Sequence, residues 1–165
     1  MISAGVDALS RPVRFARRCE ADRDDWRLLD PCFHTVQRFA HATFGRSLSI
    51  DRMATRANRR LTRFCSVSAC DPDSVGFSAF CSDWKSGPAG TSELNYCFPP
   101  FSLIPRVVQH VEHCRAKAVL ILPHWPSQSW WVHVQSLSVG MSSFPSVPVF
   151  ETVKDGRWQP VHRWL

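Results

Sequence analysis

The feature that most constrains this chain is the pair Pro99-Pro100, set in LNYCFPPFSLIPRV over residues 94–107. Proline fixes φ and carries no N–H, so two in succession neither continue a strand ladder nor sit inside a helix. Phe98, the residue before them, is itself pushed toward extended backbone. Upstream, residues 94–98 read as a short buried strand. Downstream, Ser102 stands as the cap of a helix in which Leu103, Ile104, Val107, Val108, Val111 and Cys114 share one face, with Pro105 tolerated in the first turn. The run AVLIL at 118–122 is the clearest buried strand in the sequence. Strand, helix, strand in this order imply a right-handed parallel crossover. The proline corner therefore falls at the carboxyl end of a strand in an α/β sheet, where ligand crevices form.

At 165 residues the chain is long enough for one domain with a real core. Residues 1–30 are charged, mixed in sign and without sustained periodicity, and read as a linker with one short helix. The domain then occupies 31–165. Residues 31–44 place Phe33, Val36, Phe39 or Ala40, and Thr43 or Phe44 at helical spacing ahead of Gly45, predicting an amphipathic helix. Residues 47–50 are a strand candidate ending on Asp51. Residues 53–61 suit a helix whose exposed side carries Arg52, Arg56, Arg59, Arg60 and Arg63. A second strand is predicted over 61–67, a turn at 70–74 and a loop over 85–92, while 77–84 has no clear period. Residues 147–153 and 157–161 flank Lys154-Asp155-Gly156 as a hairpin, and the Ser-rich stretch 136–146 is a loop.

Net charge is +6, and residues 1–63 hold 13 of the 20 basic and 7 of the 14 acidic residues, leaving 7 of each for the remainder. The excess is nearly all arginine, whose planar guanidinium pairs well with phosphate. DNA or RNA is thus the partner to expect, with a merely solvated basic face the equal alternative. Seven cysteines, odd in number and without a CxxC pair, imply free thiols and an intracellular setting, nuclear or cytoplasmic. No signal peptide is evident, and the longest clean apolar run spans five residues, 118–122, too short for a membrane. The histidines show no metal-ligand spacing, and neither a phosphate-binding glycine loop nor a nucleophile elbow is present.

A polar residue directly before Pro-Pro accepts a hydrogen bond from an exocyclic amine, and an aromatic residue directly after stacks on a base drawn out of its helix. The stretch Phe98, Pro99, Pro100, Phe101 resembles the [DN]-P-P-[YFW] signature of DNA adenine methyltransferases that use S-adenosylmethionine. Phe101 keeps the stacking ring, but Phe98 accepts nothing. The phage Dam-like group is similar over a spaced series: Asp51 and Asn58, then SAFCSDW at 78–84, then the proline corner, then ILPHWPSQSWW. A nearer resemblance is to the copy of this domain in polyproteins of DIRS-like tyrosine-recombinase retrotransposons. It covers DDWRL at 24–28, SIDRMAT at 49–55, Asn58, Arg63-Phe64, SAFCSDW, FPPFSLIPRV at 98–107 and LILPHWPSQSWW at 120–131. At the N-terminus, VDALSR at 6–11 resembles the closing segment of retroelement RNase H domains, with Asp7 at a metal-binding carboxylate's position.

The resemblance implies a Rossmann-like, methyltransferase-type three-layer sandwich with a mostly parallel sheet, truncated at its ends. It also implies S-adenosylmethionine as cofactor if the pocket is intact, with contacts from Asp51, Asn58 and the position of Ser78. Asp51 is equally suited to capping the helix expected after it. Two departures weigh against chemistry. Ser78 stands where the family has an acidic residue, and Phe98 where it has Asp or Asn. Losing one well-placed acceptor in a buried site costs on the order of a hundredfold in rate. Asn95 is no substitute, since its side chain leaves the strand on the face opposite Phe98. The expectation is a polyprotein fragment with an inactive methyltransferase-like domain that binds nucleic acid at most weakly, through Arg52, Arg56, Arg59, Arg60 and Arg63. The alternatives are an active adenine methyltransferase and an inert scaffold.

Overall fold

The computed structural model describes residues 26–66, 68–69, 71–144, 148–154 and 156–161. The RNase H-like stretch at 6–11 and the rest of the linker through residue 25 lie outside the described residues.

The protein is a mixed α/β fold with small sheets, two of them parallel. Strand β1 (Trp26–Leu28) leads into helix α1 (Asp30–Phe44). Short strands β2 (Ile50–Asp51), β3 (Cys65–Ser66) and β4 (Gly76–Phe77) follow. Strand β5 (Leu94–Cys97), helix α2 (Ile104–Cys114) and strand β6 (Lys117–Leu120) make the crossover. Helix α3 (Ser129–Leu137) and the hairpin β7 (Phe150–Lys154) and β8 (Arg157–Val161) complete the chain. The sheets run β2-β5-β6, all parallel; β1-β7-β8, antiparallel; and β3-β4, parallel.

Strand β5 is the spine. It pairs with β2 on one side and β6 on the other, all four of its residues are buried, and their alternation sends Leu94 and Tyr96 to one face, Asn95 and Cys97 to the other. The first face packs with Phe33, Val36 and Ala40 of α1, Val119 of β6, and Leu28 and Phe150 of the antiparallel sheet. The second packs with Ile50, Cys65, Ala79, Trp84 and Val107 of α2. Helix α3 closes on α2 through Ile104, Val108, Trp130, Trp131 and Val134.

The expected helix at 31–44 ends as anticipated, with Gly45 left-handed at φ 68° and its N–H donating to the His41 carbonyl. The parallel crossover and the terminal hairpin also match the expectation. Four elements differ. Trp26–Leu28, placed in the linker by its charged surroundings, is a strand because Leu28 is a core residue and the backbone pairs with β7. Residues 53–61 are turns and loop rather than helix, since the Thr55 N–H donates to Asn58 Oδ1 and the Arg60 N–H to Asp51 Oδ2, a side-chain scheme that competes with helical bonding. Residues 101–103 form a 3-10 turn, so α2 starts at Ile104 without a Ser102 cap. Helix α3 went unforeseen in WWVHV, whose aromatic and β-branched residues have no helical preference.

Candidate functional site at the carboxyl end of the parallel sheet

Because β2, β5 and β6 are parallel, the segments that leave them emerge at one end of the sheet. Three residues singled out from separate stretches meet there: Asp51 ending β2, Asn58 in the loop beyond it, and Phe98 just after β5 line one pocket. Tyr96, Arg60, Trp26, Arg27, Met53 and Ala54 complete its wall. Tyr96 lies two residues before Phe98, so the alternation of β5 that faced Phe98 to this side brought the only tyrosine with it. That period-two spacing was the signal for it. Its hydroxyl is buried without a hydrogen-bond partner, and burial holds its pKa well above the usual phenol value.

Asp51 is 2% exposed. Burial raises its pKa from 3.8 to about 7, an effect only partly offset by the backbone N–H groups of Arg60 and Met53. The carboxylate thus does what a cap does, holding the loop that follows it. Arg60 closes the site by pairing with Asp30 across 30 positions of sequence, with its guanidinium 4.8 Å from the Phe33 ring centre. Its Nε is buried and without a partner.

Phe98 occupies the place where an amine acceptor is expected. Its ring stacks on Phe150 at 5.0 Å with 17° between planes, so β7 supports it as a half-buried side chain packed against the core. The enclosed space is about 10 Å³, the room of one water molecule; cofactor pockets enclose roughly 300 Å³ or more. S-adenosylmethionine does not fit among these residues as they stand, with the loop tied to Asp51 and the aromatic stack in place.

The other expected site residues lie apart from this pocket. Ser78, at φ 55°, donates its N–H to the Ser66 carbonyl beside the β3-β4 pair. Pro99 is buried and Pro100 exposed. Phe101 is 41% exposed and meets Trp125, 39% exposed, edge to face at 4.9 Å.

The five arginines do not form a solvated stripe, because the helix that would have aligned them is not there. Arg52 is 4% exposed, donating from Nε to Asn95 Oδ1 at 2.7 Å and from Nη1 to Ser82 Oγ at 3.1 Å. Asn95 in turn donates to the carbonyls of Trp84 and Lys117, so Arg52 stitches β2, β5 and the 82–84 loop together. Arg63 grips the buried Glu93 with both Nη groups, at 2.8 and 3.2 Å. Burial opposes that ionisation, but hydrogen bonds from Arg63 and Ser49 outweigh it and leave the carboxyl below its usual pKa. Arg56 is surface-exposed and pairs with Asp73 at 3.1 Å, and Arg59 lies half-buried with its guanidinium 5.0 Å from the Phe64 ring centre.

Among the described residues no group of His, Cys, Asp and Glu is arranged to hold a metal, and no helix is long and apolar enough to cross a membrane. The five described cysteines are free thiols. Comparisons with protein families, with curated proteins and with solved structures give no match to this chain.

Proposed function

We propose that the chain is a fragment of a retrotransposon polyprotein whose DNA adenine methyltransferase-like domain has lost its chemistry and retains weak nucleic-acid binding. The observation that carries this reading is the convergence of Asp51, Asn58 and Phe98 on one pocket at the carboxyl end of the parallel sheet. Those are the positions at which the DIRS-like resemblance over residues 22–131 expects ribose contact and amine orientation. In this reading the β2-β5-β6 sheet, with α1 packed on one face and α2 on the other, is a reduced three-layer methyltransferase-type fold. The same pocket supports loss of activity. Phe98 offers no acceptor, and the stack on Phe150 holds its ring in place.

Calorimetric titration with S-adenosylhomocysteine tests the reading, the expected result being no heat of binding at millimolar ligand. Transfer of radiolabel from S-adenosylmethionine to DNA, abolished by Pro99→Ala, is the result that overturns it in favour of a working adenine methyltransferase.

A further inference from the structure

The carboxyl end of the parallel sheet carries a second feature beside the pocket. The loops after β5 and β6 present Phe101 and Trp125, both about two-fifths exposed and in contact at 4.9 Å with 61° between planes. Rings that touch edge to face leave no slot between them, and neither lines the pocket of Asp51 and Phe98 or the groove between α2 and α3. They are therefore unsuited to gripping a base extruded into a cavity. What they offer is a partly exposed aromatic ledge. Pro99, Pro100 and Pro126 flank it in sequence, and their fixed φ angles lower the entropy lost on binding.

Basic side chains share this end of the sheet. Arg56 and Arg59 belong to the loop that leaves β2, and Arg106 is an exposed residue in the first turn of α2, with its guanidinium 4.0 Å from the Phe80 ring centre. The strand order β2-β5-β6 sets these groups in a row: arginines beyond β2, Phe101 and Arg106 beyond β5, Trp125 beyond β6. Strands about 4.8 Å apart put the outer two exits about 10 Å from each other. The ion pair that Arg56 makes with Asp73 is solvent-exposed on both sides, and a phosphate readily replaces such a partner. Aromatic faces beside a basic track are the chemistry by which single strands are held without sequence preference.

We propose that this end of the sheet is a platform for single-stranded nucleic acid, with unpaired bases stacked on Phe101 and Trp125 and phosphates held by Arg56, Arg59 and Arg106. The proposal rests on the nucleic-acid reading above and names the kind of strand and the groups that hold it.

Fluorescence anisotropy on the full chain tests it with three probes of about 12 nucleotides, within the range such folds occupy: a single strand, the matching duplex, and an abasic strand of equal charge. The single strand is expected to bind tightest, and the abasic strand about tenfold or more weaker, as loss of stacking predicts. Phe101→Ala and Trp125→Ala should each weaken the single strand about 5- to 150-fold, with Trp125→Phe restoring most of the loss. Circular dichroism checks that each variant is folded. Equal affinity for the abasic strand, or unchanged binding by a folded Phe101→Ala/Trp125→Ala double variant, overturns the platform. If Arg56→Ala and Arg59→Ala still weaken binding in that event, nucleic-acid binding stands and only the stacking fails. If no probe binds at all, both readings fall.

Discussion

Asp51 is the residue at which the two expectations, ribose ligand and helix cap, separate most sharply, and the structure has it hold a loop instead of a helix. Its carboxyl titrates near 7 in the folded protein and near 4 when unfolded, so between those values the native state holds the extra proton. Stability therefore falls as pH rises from about 4 to about 7, by roughly 1.4 kcal/mol per unit of pKa shift and about 4 kcal/mol in all from this group. The amide of an Asp51→Asn variant keeps an oxygen for the Arg60 N–H and carries no charge to bury. We expect Asp51→Asn to match the parent at pH 4 and to exceed it by about 2 kcal/mol or more at pH 8. Urea denaturation of both proteins across that range measures the difference. A parent chain more stable than the variant at pH 8 means that the ionised carboxylate is better solvated than its burial indicates. Phe98 makes the complementary case, since its identity was legible as a departure from a pattern, whereas its stacking on Phe150, some fifty positions away, was not.

At the scale of elements, the segments that organise themselves locally were readable, and those fixed by distant partners were not. Helix α1 carries its own period and its own glycine stop. Strand β5 announces its end with two prolines, and the hairpin its turn with Gly156. Residues 53–61 were expected to be a helix, but Asp51 accepts the Arg60 backbone N–H, while Asn95 and Glu93 draw in the flanking side chains of Arg52 and Arg63. Loop 85–92 depends on the same ion pairs. A Cβ on Gly87 would lie 2.1 Å from Glu93 Oε1, the oxygen held by Arg63. Gly87→Ala therefore has to push the carboxylate out of a buried, two-pronged pair, and we expect a loss of about 3 kcal/mol. Asn95→Leu should be worse, because it strands Arg52 Nε and the Trp84 carbonyl in the core, each costing about 1–3 kcal/mol, and also removes the donor to the part-buried Lys117 carbonyl. Thermal melts followed by circular dichroism rank the two. An Asn95→Leu chain that melts with the parent indicates that water reaches this network.

For the molecule as a whole, net charge and available charge are different quantities. The formal excess of six positive charges invites counting arginines, yet Arg60 and Arg63 are bound to carboxylates and Arg52 is sealed beneath the sheet's edge. Freeing Arg52 or Arg63 for a phosphate leaves a buried partner alone, Asn95 or Glu93, at a cost of several kcal/mol for a broken buried charge pair; Arg60, paired with the exposed Asp30, is itself 11% exposed along its side chain. Arg56, exposed in the loop after β2, and Arg106, exposed in the first turn of α2, meet no such penalty, and half-buried Arg59 donates to a solvent-exposed carbonyl, that of Thr62. The distinction is measurable as a salt dependence. For single strands the slope of log affinity against log salt is about −0.7 per phosphate neutralised, so the three arginines of the platform predict a slope near −2, whereas all five arginines of the 52–63 stretch predict about −3.5. Anisotropy titrations from low to physiological salt separate these values. The shallow slope is expected, and a further flattening by about 0.7 on Arg106→Ala assigns one phosphate to that side chain. A slope of about −3.5 or steeper instead requires that Arg52, Arg60 and Arg63 leave their partners on binding, in which case the strand binds a rearranged loop rather than the platform described above.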